Sequence, residues 1–152
     1  MAVVTKIYPQ TINDYLLKAQ SWTADTVNCA LFSASTFTTT DTTYTTSGTE
    51  VANANGYTTG GGAVGTRTQS SATTTTQLSK ITGAFGGGAA GTTTWTATGA
   101  GFSAVAAKLY NTTVSNHPMC HIDFGGTQTA SGGGTFTITW DATNGVFNAA
   151  SS

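Results

Sequence analysis

Full charges are scarce in this chain: only 7% of its 152 residues are Asp, Glu, Lys or Arg, six acidic and five basic. An ordinary soluble domain carries roughly 25%. A net charge of -1 excludes long-range electrostatic attraction to nucleic acid or to an anionic membrane. The chain has two prolines and two cysteines, too few for a Pro-rich linker or a disulfide scaffold. Cys29 and Cys120 read as buried thiols on strand faces, with one disulfide as the alternative if their strands are neighbours. No apolar run approaches the roughly 18 residues of a membrane-spanning helix. The opening segment, Met1 to Pro9, lacks the apolar core of a signal peptide, which points to synthesis in the cytoplasm.

Carboxylates are equally few. Asp14, Asp25, Asp41, Glu50, Asp123 and Asp141 are the full set, and no spacing pairs two of them for glycoside hydrolysis. A serine-nucleophile elbow is missing too, because Gly101-Phe-Ser103-Ala-Val lacks its closing glycine. His117, Cys120 and His121 invite a metal reading. Cys120 and His121 are adjacent in a strand, however, and so point to opposite faces. His117 then reads as a turn residue and His121 as a solvent-facing strand residue. Asp141 opens DATNG and reads as a turn cap; a calcium site with Asn144 would need more oxygens than this loop offers. The expectation is a non-enzyme with no cofactor and no metal.

Glycine is plentiful, at 19 residues, and produces dinucleotide-like spacings at Gly60/Gly62/Gly65, Gly86/Gly88/Gly91 and Gly99/Gly101/Ala104. Such glycines would bring backbone amides to a pyrophosphate at a helix start. Three matches without a series of βαβ units mark loops instead.

What the chain does have is threonine, 35 of 152 residues. Threonine is β-branched and suits strands, and the apolar residues alternate as strands require. Val27, Cys29 and Leu31 form one such series, and Val105, Ala107 and Leu109 a second, with Lys108 on the opposite face. Cys120, Ile122 and Phe124 form a third; Phe136, Ile138 and Trp140 form the cleanest, and these last six predict one shared core. Trp95 in TTTWTAT belongs to a further strand. Gly60–Gly62, Gly86–Gly88, Gly132–Gly134 and the polar run Thr38–Gly48 read as loops. Gln10–Gln20 alone has helical spacing, through Ile12, Leu16 and Ala19 with Tyr15 beside them; Trp22 follows as an anchor. Tyr44 and Tyr57, in loops, are the candidate exposed contacts, whereas Trp95 and Trp140 are core. The predicted architecture is mainly β: one antiparallel, jelly-roll-like β-sandwich domain over 1–152, with an N-terminal arm and short helix in 1–22 and strands in 23–152.

Two stretches carry a resemblance. One is SWTADTVNCALFSASTFTTTDTTYTT followed by EVANANGYTTGGGAVG; the other is HIDFGG followed by GTFTITWDATNGVF. Together they resemble small virion proteins of tailed bacteriophages. The terminal match, Ile122–Phe147, is the more specific; the stretch from Thr66 to Ala100 is diverged. The resemblance implies a structural virion component, most like a head-decoration or cement protein. It would sit on the capsid surface and stabilise the shell through the major capsid protein lattice. A surface poor in charge is cheap to dehydrate, which fits self-association, expected as a homotrimer. The alternative is a tail-fibre or tail-tip module that binds a host surface glycan.

Overall fold

The computed structural model describes residues 4–72, 76–143 and 145–150. Eleven strands and one helix are assigned in them: β1 (Val4–Ile7), α1 (Pro9–Leu16), β2 (Val27–Ser35), β3 (Gly48–Glu50), β4 (Gly62–Ala63), β5 (Arg67–Ala72), β6 (Thr76–Ile81), β7 (Thr92–Thr96), β8 (Phe102–Asn111), β9 (His117–Ala130), β10 (Thr135–Thr139) and β11 (Phe147–Ala150). All strand pairings in the sheets are antiparallel.

The main sheet runs β1-β9-β8-β2-β3, with β4 also pairing β2. A two-stranded sheet, β10-β7, faces it, and β11-β6-β5 form a third sheet. Aromatic rings join the first two layers. Phe136 of β10 lies 5.8 Å from both Phe102 and Phe124 of the main sheet, and 6.2 Å from Trp95 of β7. This is the predicted sandwich. Its core holds Cys120, Ile122, Phe124, Phe136 and Trp140, with Ile138 half-buried against them, so the six residues share one interior as their alternation requires. Trp22 is buried in the same cluster, and its indole N–H donates to the Thr68 carbonyl at 3.1 Å.

Three expectations are corrected. The first concerns β8, whose pairing with β9 slips between Ala104 and Ala106. A bulge inserts one residue and reverses the facing of the residues beyond it. Ala104, Ala107 and Leu109 therefore share the main core, and Val105 joins the opposite face with Ala106 and Tyr110. The second concerns the helix, which stops at Leu16 rather than Gln20. Lys18 turns left-handed at φ 56°, and Ala19 N–H donates back to the Asp14 carbonyl at 2.8 Å.

The third concerns which face of α1 is buried. Thr11 and Asp14 face inward, whereas Ile12, Leu16 and the following Leu17 are 55%, 78% and 69% exposed. Hydrogen bonding decides the orientation. The Thr11 hydroxyl donates toward the Pro118 and Met119 carbonyls at 3.0 and 2.9 Å. Asp14 accepts from His117 Nδ1–H at 2.8 Å and from Gln10 Nε2 at 2.8 Å. Turning this face to solvent would give up the contacts of Thr11 and Asp14 with β9, so the polar face is buried and the apolar stripe is left outside.

Candidate interaction surface

Most of the sequence-predicted polar candidates are structural. Lys108, on the outer face of the main sheet, is not exposed: the loop 36–47 crosses that face and buries it. Its Nζ lies 3.7 Å from Asp41 Oδ2, with side-chain exposures of 0% and 1%. The ammonium also donates to the Thr46 carbonyl and sits 4.8 Å above the Phe32 ring. Burial pulls the Lys108 pKa down, and the Asp41 carboxylate opposes that pull. Tyr44 stacks on Tyr110 at 3.7 Å in the same outer cluster.

Tyr44 and Tyr57 are therefore not surface contacts; both are buried. The Tyr57 hydroxyl donates to Glu50 Oε1 at 2.6 Å and accepts the Leu31 N–H at 2.9 Å. Gly60 N–H donates to the same carboxylate oxygen at 2.6 Å. Glu50 thus pins the loop after β3 back onto β2. Gly61 beside it has φ 65°, and a Cβ there would collide with the Cys29 carbonyl. The glycine spacing at Gly60–Gly65 serves this close backbone approach and not a phosphate. Gly99 and Gly101, at φ 53° and 77°, form a turn into strand β8 rather than into a helix.

His121 is buried, not solvent-facing. It does point away from Cys120, as alternation predicts: Cys120 lies in the main core, while His121 Nε2 meets Ser35 Oγ at 3.0 Å and its ring meets the Phe37 edge. Burial first, then the nearby Lys108 charge, lowers its pKa below the ordinary 6.5. Among the described residues no group of three or more His, Cys, Asp or Glu side chains converges. Asp141 caps its turn, accepting Thr143 N–H at 2.7 Å, as read from DATNG; Asn144 lies outside the described residues. Asp25 accepts Asn111 Nδ2 and the Ser21 N–H, both at 2.7 Å. Asp123 accepts Gly125 N–H at 2.8 Å.

A cleft of about 650 Å³ lies at one open side of the sandwich. Thr5, Ile122, Phe124, Gln128 and Thr129 line it from the main sheet, and Thr135 through Trp140 line it continuously from β10 and the residue after it. Asp141, Gly145 and Val146 close one end. Successive strand residues point to opposite faces, so a wall made of six consecutive residues presents the edge of β10. Trp140 N–H donates to the Gly91 carbonyl, and Ala97 N–H to that of Gly134. Even-numbered residues of β10 are thereby the ones bonded to β7. Thr135, Thr137 and Thr139 turn their backbone groups to the outer edge. On β7 the corresponding outer groups are used: Thr94 N–H donates to the Phe85 carbonyl, and Phe85 N–H to that of Thr92. On β10, among the described residues, no further strand is paired at that edge.

The aromatic floor does not make a sugar platform. Phe124, Phe136 and Trp140 are 8%, 7% and 7% exposed, and the Trp140 indole N–H is committed to Thr93 Oγ1 at 2.9 Å. The signal for the cleft was present in the alternation of β10, but the missing third strand beside it is a matter of topology that no local pattern carries. No family model matches this chain, and no curated protein or solved structure does.

Proposed function

We propose that this chain is a structural, non-enzymatic protein of a tailed-phage virion that decorates the head by binding the major capsid protein lattice as a homotrimer. The observation that carries the reading is a surface built for contact rather than chemistry. It combines an uncharged threonine coat, an outward Ile12–Leu16 stripe and open backbone edges at the rim of the sandwich. Residues at i and i+4 on a helix are neighbours, so Ile12 and Leu16 form one apolar ridge. Burying such surfaces costs little desolvation, because few ions need new partners. Each copy would bridge adjacent shell subunits, and many weak contacts would act together. The tail-fibre reading is weaker, because the cleft offers a glycan no exposed ring to stack on.

The test is copy number and assembly. On a stained gel of purified virions, a decoration protein stains within a small factor of the shell protein; a fibre module stains far below it. Light scattering of the purified chain at low and high salt should give the same oligomer, since contacts without ion pairs are little screened. Dissociation as salt rises would refute the account of assembly, and a trace-level band in virions would refute the decoration role.

A further inference from the structure

The two layers of the sandwich are unequal. Five strands lie side by side in the main sheet, whereas the sheet that meets them across Phe136 has, among the described residues, two strands, β10 and β7. The cleft occupies the place beside β10 where a third strand would lie, over Thr5, Ile122 and Phe124. We propose that an extended segment of the shell protein enters this cleft and pairs with β10 as that third strand. The proposal rests on the decoration reading above.

Chemistry selects the occupant. Thr135, Thr137 and Thr139 each present an outward N–H and C=O, repeating about every 6.6–6.8 Å along the strand. Only an extended polypeptide offers donors and acceptors at that repeat, and strand addition to an open edge is an established way to recognise one. The floor residues Ile122 and Phe124 are already buried, so side-chain burial contributes little and the backbone ladder dominates. No Lys, Arg or His lines the cleft. An acidic segment would lose hydration there with no cation to replace it. The fitting segment is therefore free of acidic residues, with small and β-branched residues along the strand and at most a basic residue at the Asp141 end. A second copy of this chain is a poor donor, because every strand of the described residues is already paired within the chain. Lending one would first require unpairing it.

The experiment is hydrogen exchange on the wild-type protein, free and bound to capsid shells stripped of it. On binding, the amides of Thr135, Thr137 and Thr139 should slow by about tenfold or more, while those of Phe136 and Ile138, already bonded to β7, change little. Bound protein whose three threonine amides exchange at the free rate overturns the strand proposal and leaves decoration standing. Failure of the wild type to bind shells overturns both. Two variants give an independent readout. Thr137→Ala and Thr137→Pro both lose the hydroxyl contact with Thr94, but only the proline removes the outward N–H, which β7 does not use. Thr137→Ala should bind shells like wild type, and Thr137→Pro about tenfold more weakly or worse. A folded Thr137→Pro that binds like wild type overturns the proposal; if that variant does not fold, the exchange measurement decides.

Discussion

Replacing Asp41 by Ala should be among the most destabilising single changes outside the main core. The change removes the carboxylate facing Lys108 and leaves an ammonium with no exposed side-chain surface. Two magnitudes bound the loss. At 3.7 Å and an effective dielectric of about 20, the lost attraction is about 4.5 kcal/mol. The alternative escape is to deprotonate Lys108. A group at the ordinary 10.5 would need about 4.8 kcal/mol at pH 7, at about 1.36 kcal/mol per pH unit, and burial already lowers Lys108 below that value, so this escape caps the loss. The Thr46 carbonyl and the Phe32 ring remain as partners and soften the loss. The expected cost is about 3–5 kcal/mol, the range for breaking one side of a buried pair. Lys108→Met alone should also destabilise, because it strands the carboxylate with only the Ser47 hydroxyl donating to it. The double variant should lose less than Asp41→Ala, since no buried charge is then left unpaired; a coupling of about 1–3 kcal/mol is expected. Urea unfolding at pH 7, followed by tryptophan fluorescence, reads all three. If Asp41→Ala costs under about 1 kcal/mol, water reaches the pair and the loop 36–47 does not seal the outer face.

Four other sites give expected outcomes of their own. His121 is held neutral by burial and by Lys108, so its folded pKa lies below 6.5. The unfolded chain therefore takes up a proton first, and stability is full above that value and declines as pH falls toward the folded pKa. Melting between about pH 7.5 and 5.5 should drop more in wild type than in His121→Gln; equal drops would refute the assignment. Ile138→Ala should cost about 2 kcal/mol, the low end for core truncations, because Ile138 is only half-buried; a loss under about 0.5 kcal/mol in urea would break the β10 register. Leu16→Gln on the outward stripe should shift stability by less than about 0.5 kcal/mol in the same assay, and a large loss would place that stripe in the fold. Tyr57→Phe removes one donor to Glu50 and the acceptor of the Leu31 N–H and should cost about 1–3 kcal/mol; a neutral result would mean that the Tyr57 hydroxyl does not tie Glu50 to β2.

The strands with apolar alternation were legible in the sequence. β2, β7, β8, β9 and β10 all show in it, as does the shared core of the last two, because period-two burial is a local property. β5 and β6, Arg67–Ala72 and Thr76–Ile81, do not, because their polar sequences carry no such period. The helix was legible as a helix but not in its facing. Ile12 and Leu16 announce an apolar face, yet Thr11 and Asp14 find partners on β9 that lie more than a hundred residues away. The fates of Tyr44, Tyr57 and Lys108 turned on loops folding back over sheet faces. Such folding is long-range, and a loop residue's composition says only that it is polar. The bulge in β8 is likewise invisible in a run of alanines, where either register looks equally apolar.

The arrangement of the two cysteines sets how the fold meets oxidants. Cys29 and Cys120 both pair with Leu109, one from each side, so a whole strand stands between them. Two strand spacings come to about 9.6 Å, beyond the roughly 7 Å within which Cα atoms can be bridged. Both thiols are free and buried; burial pushes Cys120 up to about 12 and Cys29 well above its usual value, so neither offers thiolate at neutral pH. The fold is thus indifferent to redox poise. It gains nothing from an oxidising medium and loses nothing in a reducing one, and its covalent connectivity is the same in both.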